Sequence, residues 1–113
     1  MKTAIVLGTR PEIIKLSPLI KQLNKKSTSV IFTGQHYDYD LSVKFIHQLG
    51  LAKPDYSMKI SRVKPALQVG DVIRKLSKIL EKEKPDTVIV QGDTNTVLAA
   101  GIASIKSNIP VSH

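Results

Sequence analysis

Two charged side chains on glycine turns, with a lysine one turn into the helix that follows the first, carry the chemistry this sequence offers. Arg10 lies in Gly8-Thr9-Arg10-Pro11-Glu12, and Lys15 follows five residues later. Asp93 lies in Gln91-Gly92-Asp93-Thr94. A guanidinium is planar and suits bidentate contact with phosphate or carboxylate. Arg10 could equally be a surface arginine paired with Glu12. Lys15 can reach the same mouth, although a lone helical lysine is most often a solvated charge. Asp93 has two readings of equal weight: an N-cap for the helix that follows it, or a carboxylate serving as acid or base in a crevice. A third loop, Thr33-Gly34-Gln35-His36, offers an imidazole. His36 could carry a proton, but such a histidine more often hydrogen-bonds its own loop.

Several chemistries are excluded or disfavoured. The chain has no cysteine, hence no disulfide, thiolate nucleophile or zinc finger. His36, His47 and His113 lack metal-ligand spacing. The dinucleotide pattern G-x-G-x-x-G is absent, as is a Walker loop, which disfavours NAD and P-loop nucleotides. No metal or other cofactor is expected. The net charge of +8 raises the question of nucleic acid. Yet all but three of the 17 basic residues are lysines spread along the chain, and only three tyrosines and two phenylalanines could stack on bases. Lysines coating outer helix faces explain the charge, so neither nucleic acid nor membrane is an expected partner. No apolar run approaches the roughly 20 residues of a membrane span. The apolar run after Lys2 is too short for a secretory signal, so a cytoplasmic protein is expected.

The turns must be held by the elements around them. Thr3–Gly8 is β-branched or apolar without alternation, which suits a parallel strand covered on both faces. Pro11 fits the first position of a helix, with Ile13, Leu16, Leu19, Ile20 and Leu23 on its inner face. Pro18 lies inside that helix and predicts a bend or break near Ile14, a defect of about 3 kcal/mol if uncompensated. Asn24–Ser27 reads as a turn and Thr28–Thr33 as a second strand. Asp38 or Asp40 could cap a helix with Leu41, Phe45 and Leu49 inward and Gly50 at its end. Tyr56–Ile60 predicts a short or edge strand. Pro65 opens the clearest helix, with Val69, Val72, Ile73, Leu76, Ile79 and Leu80 at a 3.6 period, stopped at Lys84-Pro85. Thr87–Val90 is a fourth buried strand, Thr96–Ser107 a helix rich in small residues ending at Asn108, and Ile109–His113 a fifth strand.

This alternation predicts an α/β fold: a Rossmann-like parallel sheet of order 3-2-1-4-5 with helices on both faces. In that order strands 1 and 4 are neighbours whose connections leave in opposite directions. Arg10 and Asp93 should therefore face one crevice at the carboxyl edge of the sheet. A fifth strand with no covering helix would be a bare edge. The expectation is a fragment of a longer protein, or pairing with another copy.

The three loops taken together resemble the non-hydrolysing UDP-N-acetylglucosamine 2-epimerases. The resemblance rests on Val6-Leu7-Gly8-Thr9-Arg10-Pro11-Glu12 with Lys15 and Ser17-Pro18, on Thr33-Gly34-Gln35-His36, and on Gln91-Gly92-Asp93-Thr94-Asn95-Thr96 with Ala99-Ala100. It implies that residues 1–113 form an incomplete N-terminal domain of a GT-B-like fold, whose active-site cleft is completed by a C-terminal domain outside this chain. It also implies interconversion of UDP-N-acetylglucosamine and UDP-N-acetylmannosamine without metal or nicotinamide, by UDP elimination and re-addition. Asp93 would be a catalytic carboxylate, Arg10 and Lys15 would bind the UDP-sugar, and the full-length protein would be a homodimer. Members activated by a second substrate molecule carry further polar residues where this chain reads Tyr37-Asp38-Tyr39 and Lys64-Pro65-Ala66, which argues against such activation here. Two alternatives remain: a hydrolysing relative that releases UDP and free N-acetylmannosamine, and a stand-alone Rossmann-like anion-binding module.

Overall fold

The structure, a computed structural model, describes residues 1–33, 44, 46–58, 64–92 and 95–113, without the side chains of residues 10, 65, 95 and 96. Five parallel strands form one sheet: β1 (Thr3–Leu7), β2 (Thr28–Phe32), β3 (Tyr56–Ser57), β4 (Thr87–Ile89) and β5 (Val111–Ser112). Their order is β3-β2-β1-β4-β5, as the alternation of elements predicts. Every strand pair is parallel, with Thr3 opposite both Thr28 and Thr87.

The apolar content of β1 is divided between the two faces by its period of two. Ala4 and Val6 join Val88 and Val90 beneath α2 (Pro65–Glu83) and α3 (Asn95–Lys106), where Val72, Leu76, Leu80, Ala99, Ala100 and Ala103 close the core. Ile5 and Leu7 join Phe32 on the opposite face, covered by Ile13 and Leu16 of α1 (Arg10–Gln22) and by Ile46. Small residues let α3 lie close to the sheet. Its Leu98, Ile102 and Ile105 recur at i, i+4, i+7 and are exposed.

Chain termini of the elements follow local rules. Gly50 has φ +74°. Its N–H bonds His47 O at 2.9 Å while Leu51 N–H bonds Ile46 O at 3.2 Å, the Schellman pattern expected of a C′ glycine. Most of the helix expected over residues 41–49 lies outside the described residues, as do Asp38 and Asp40. Asn108 ends α3 in the same manner with φ +59°. Its N–H bonds Ile105 O at 3.1 Å and Ile109 N–H bonds Ser104 O at 2.8 Å.

Two expectations are corrected. Helix α1 starts at Arg10, so Pro11 is its second residue rather than its first; the N–H lost there is also one with no intrahelical partner. Pro18 does not break α1, which runs unbroken to Gln22. Pro18 and Ile14 are both exposed, so water can take the Ile14 carbonyl that the proline leaves unbonded.

The tripeptide Lys-Pro-Asp occurs twice, at residues 53–55 and 84–86, each time ahead of a strand. Asp55 Oδ2 accepts Val30 N–H at 2.8 Å, and Asp55 N–H returns to Val30 O at 2.9 Å. Asp86 Oδ2 accepts Lys2 N–H at 2.6 Å, and Asp86 N–H returns to Lys2 O at 2.7 Å. Each aspartate stitches the start of its own strand to the neighbouring strand, ending the ladder without an orphaned backbone group.

Candidate active-site edge

The carboxyl edge of the sheet is built around Glu12. Thr9 is the N-cap of α1, with extended backbone, and Glu12 occupies the third helical position. That spacing is the capping-box pattern, in which the glutamate reaches back to the N-cap amide. Glu12 Oε1 accepts Gly8 N–H at 2.8 Å and Thr9 N–H at 3.0 Å. The Glu12 side chain is buried, with 3% of the residue exposed. Thr9 Oγ1 is also buried and has no hydrogen-bond partner among the described residues. The backbone of Arg10 is thereby held at the first helical position, one residue beyond the bonded amide of Thr9.

The β4–α3 turn comes close to the same carboxylate. Gly92 has φ +96°, a left-handed conformation that side chains rarely adopt. A Cβ on Gly92 would stand 3.7 Å from Glu12 Oε2, an ordinary contact distance, so the backbone angle and not crowding demands glycine. From the far side, the ring of His113, at the end of β5, hydrogen-bonds Gly92 O through Nε2. On the other side of β1, Thr33 follows β2 and is fully buried, its N–H bonded to Leu7 O at 2.9 Å.

The loops that bear Arg10 and Asp93 therefore converge, as the topology predicts. Arg10 is the first residue of α1, and Asp93 directly follows Gly92 in the chain. The side chain of Arg10, all of Asp93, and His36 lie outside the described residues. Lys15 is exposed on α1, and His47 is exposed on the helical segment that ends at Gly50. Sequence reasoning treated Glu12 only as a possible partner of Arg10 and placed His113 at no site. The first had a legible signal, the Thr9-x-x-Glu12 capping spacing; the second had none, because only the sheet order brings β5 beside β4.

Among the described residues the groups with shifted acidity, Glu83 with its partner Tyr56 and Asp71 of α2, are none of these. Lys2 and Asp86 stand at the amino ends of β1 and β4, the opposite edge of the sheet, and Lys2 holds Glu83 there. A cavity of about 250 Å³ beside α1, lined among others by Ile20, Leu23, Val30, Ile46 and Leu51, includes none of Gly8, Thr9, Glu12, Gly92 or His113. Among the described residues no cluster of histidines and carboxylates could hold a metal, and no helix is long and apolar enough to cross a membrane.

With this geometry in hand, known proteins decide the family. The model of the UDP-N-acetylglucosamine 2-epimerase family matches residues 20–113. The chain belongs to the UDP-N-acetylglucosamine 2-epimerase family. It is 47% identical over 99% of its length to the UDP-N-acetylglucosamine 2-epimerase of Methanococcus maripaludis. It is 36% identical, over its whole length, to the UDP-2,3-diacetamido-2,3-dideoxy-D-glucuronate 2-epimerase of Pseudomonas aeruginosa. The Methanocaldococcus jannaschii UDP-GlcNAc 2-epimerase, crystallised with UDP-GlcNAc and UDP, superposes on all of the chain with a TM-score of 0.91 at 45% identity. The Neisseria meningitidis enzyme bound to UDP-GlcNAc gives 0.88 at 35% identity. The chain spans 31% to 33% of the length of these family members.

Proposed function

We propose that this chain supplies one wall of a UDP-sugar cleft in a protein that interconverts UDP-N-acetylglucosamine and UDP-N-acetylmannosamine. The observation that carries the reading is the meeting of the β1–α1 and β4–α3 turns at Glu12, which brings the chain positions of Arg10 and Asp93 to one edge. The reaction removes the C2 proton and breaks the C1–O bond, releasing UDP and leaving enzyme-bound 2-acetamidoglucal. UDP then adds back to C1 as a proton returns to C2 from the other face. Arg10 and Lys15 place positive charge near the leaving diphosphate. Asp93 serves as a carboxylate of the proton-transfer machinery, by transfer or by tuning a partner. No resident cofactor takes part.

The activity belongs to the full-length protein, which we take to be a cytoplasmic homodimer. The isolated 113-residue chain should show no turnover, since the rest of the cleft comes from a C-terminal domain; measurable epimerisation by the isolated chain would refute this. In the full-length protein, epimerisation in D2O should place deuterium at C2 of the product, and a deuterium-free product would rule out proton exchange. Asp93→Asn should abolish turnover with the folded state intact by circular dichroism. The Pseudomonas aeruginosa relative is named for a different UDP-sugar, so UDP-2,3-diacetamido-2,3-dideoxy-D-glucuronate belongs in the same assay as the competing substrate.

A further inference from the structure

In α/β nucleotide-binding folds the amides of the first βα turn commonly take the phosphate, assisted by the positive end of the helix. Here two of those amides are already occupied. Gly8 N–H and Thr9 N–H both end on Glu12 Oε1, at 2.8 and 3.0 Å. The carboxylate comes from the helix itself and is buried. It sits where the field of the helix N-terminus favours negative charge. The turn therefore carries a built-in anion in place of an external phosphate, which also accounts for the missing glycine fingerprint. The same side chain lies near Gly92, 3.7 Å from where a Cβ there would stand, so one carboxylate bonds the turn that leads into Arg10 and adjoins the turn that leads into Asp93.

We propose that Glu12 is a positioning residue that sets the separation between the β1–α1 turn, which leads into Arg10, and the β4–α3 turn, which leads into Asp93. A diphosphate in the cleft is then bound by side chains, Arg10 and Lys15, rather than by the Gly8 and Thr9 amides. The proposal rests on the UDP-sugar reading above. It predicts a specific order among variants. Glu12→Gln keeps an oxygen that can accept both amides and recovers most of the activity. Glu12→Ala removes the acceptor, leaves two amides free to rearrange, and uncouples the turns.

The test uses the full-length protein, with UDP-N-acetylglucosamine turnover and calorimetric UDP binding measured on each variant, well below its thermal midpoint. Glu12→Ala should lower kcat/KM by roughly 100-fold, the scale of a misplacement of about 1 Å. It should also weaken UDP binding, while Glu12→Gln stays within a few-fold of wild type on both. Glu12→Ala that is less heat-stable but keeps wild-type kcat, KM and UDP affinity would overturn the proposal, because Glu12 would then serve the fold alone. UDP binding that tightens in Glu12→Ala would overturn it too, since the freed amides would then be taking phosphate. A wild-type protein that binds UDP without epimerising sinks the reaction assigned above, and Glu12 is then judged on UDP affinity alone. A wild-type protein that does neither sinks both.

Discussion

Glu83 shows how single side chains act away from the site. Its carboxylate accepts Lys2 Nζ at 2.7 Å and the Tyr56 hydroxyl at 2.5 Å. The Lys2 hydrogen bond, followed by that from Tyr56, holds its pKa below the ordinary glutamate value, and the bond to Glu83 raises that of Tyr56. A carboxylate with a lowered folded-state pKa adds stability above its unfolded pKa and loses it as pH falls through the folded value. Glu83→Gln should therefore lower the thermal midpoint at neutral pH, and the gap to wild type should close as the solution is acidified below about pH 4. Because Lys2 is 39% exposed, the neutral-pH cost should not exceed about 1 kcal/mol. Lys84 offers the opposite test. It closes α2 in the left-handed region, with φ +47°. Lys84→Gly should raise stability by about 1 kcal/mol, read as a higher urea midpoint at unchanged slope.

At the scale of elements, the helices differ in what their positions tolerate. Gly70 lies inside α2, and a Cβ there would meet nothing within 4 Å. Gly70→Ala should stabilise by about 1 kcal/mol through helix propensity alone, measured by thermal or urea unfolding. Helix α3 divides sharply between its faces. Ala103 is fully buried against the sheet, whereas Ile105 is 69% exposed. Ala103→Leu should cost about 1–3 kcal/mol by overpacking, while Ile105→Ala should change stability by less than about 0.5 kcal/mol. The repeated Lys-Pro-Asp explains how β3 holds its place with only two residues, Tyr56 and Ser57. Asp55 anchors its start to β2 through both side chain and backbone. Its thin apolar content made it legible as a short or edge strand, and the edge is where the structure places it. The boundaries of α1 were less legible. Pro11 marks a helix start but does not say whether it is first or second, and that depends on Glu12 reaching back to Thr9.

At the scale of the molecule, the sheet order makes the candidate site, because it alone joins turns more than 80 positions apart. Several features were legible in the sequence because they depend on neighbours along the chain. The unalternating apolar run of β1 signalled a strand buried on both faces. The 3.6 period of α2 marked its inner stripe, and Gly50 and Asn108 marked helix ends through their freedom to adopt positive φ. The alternation of strand and helix then restricted the topology to the order observed, since parallel crossovers leave few arrangements. Other features required the tertiary structure, because they depend on residues distant in sequence. Glu12 carries no mark that separates a helix-capping glutamate from one that also lies near Gly92. His113 reaches Gly92 only because β5 lies beside β4. Local sequence determined which elements form and where the reactive residue types sit. Only the packing of β1 against β4 decided that one buried carboxylate stands between the two turns that bear them.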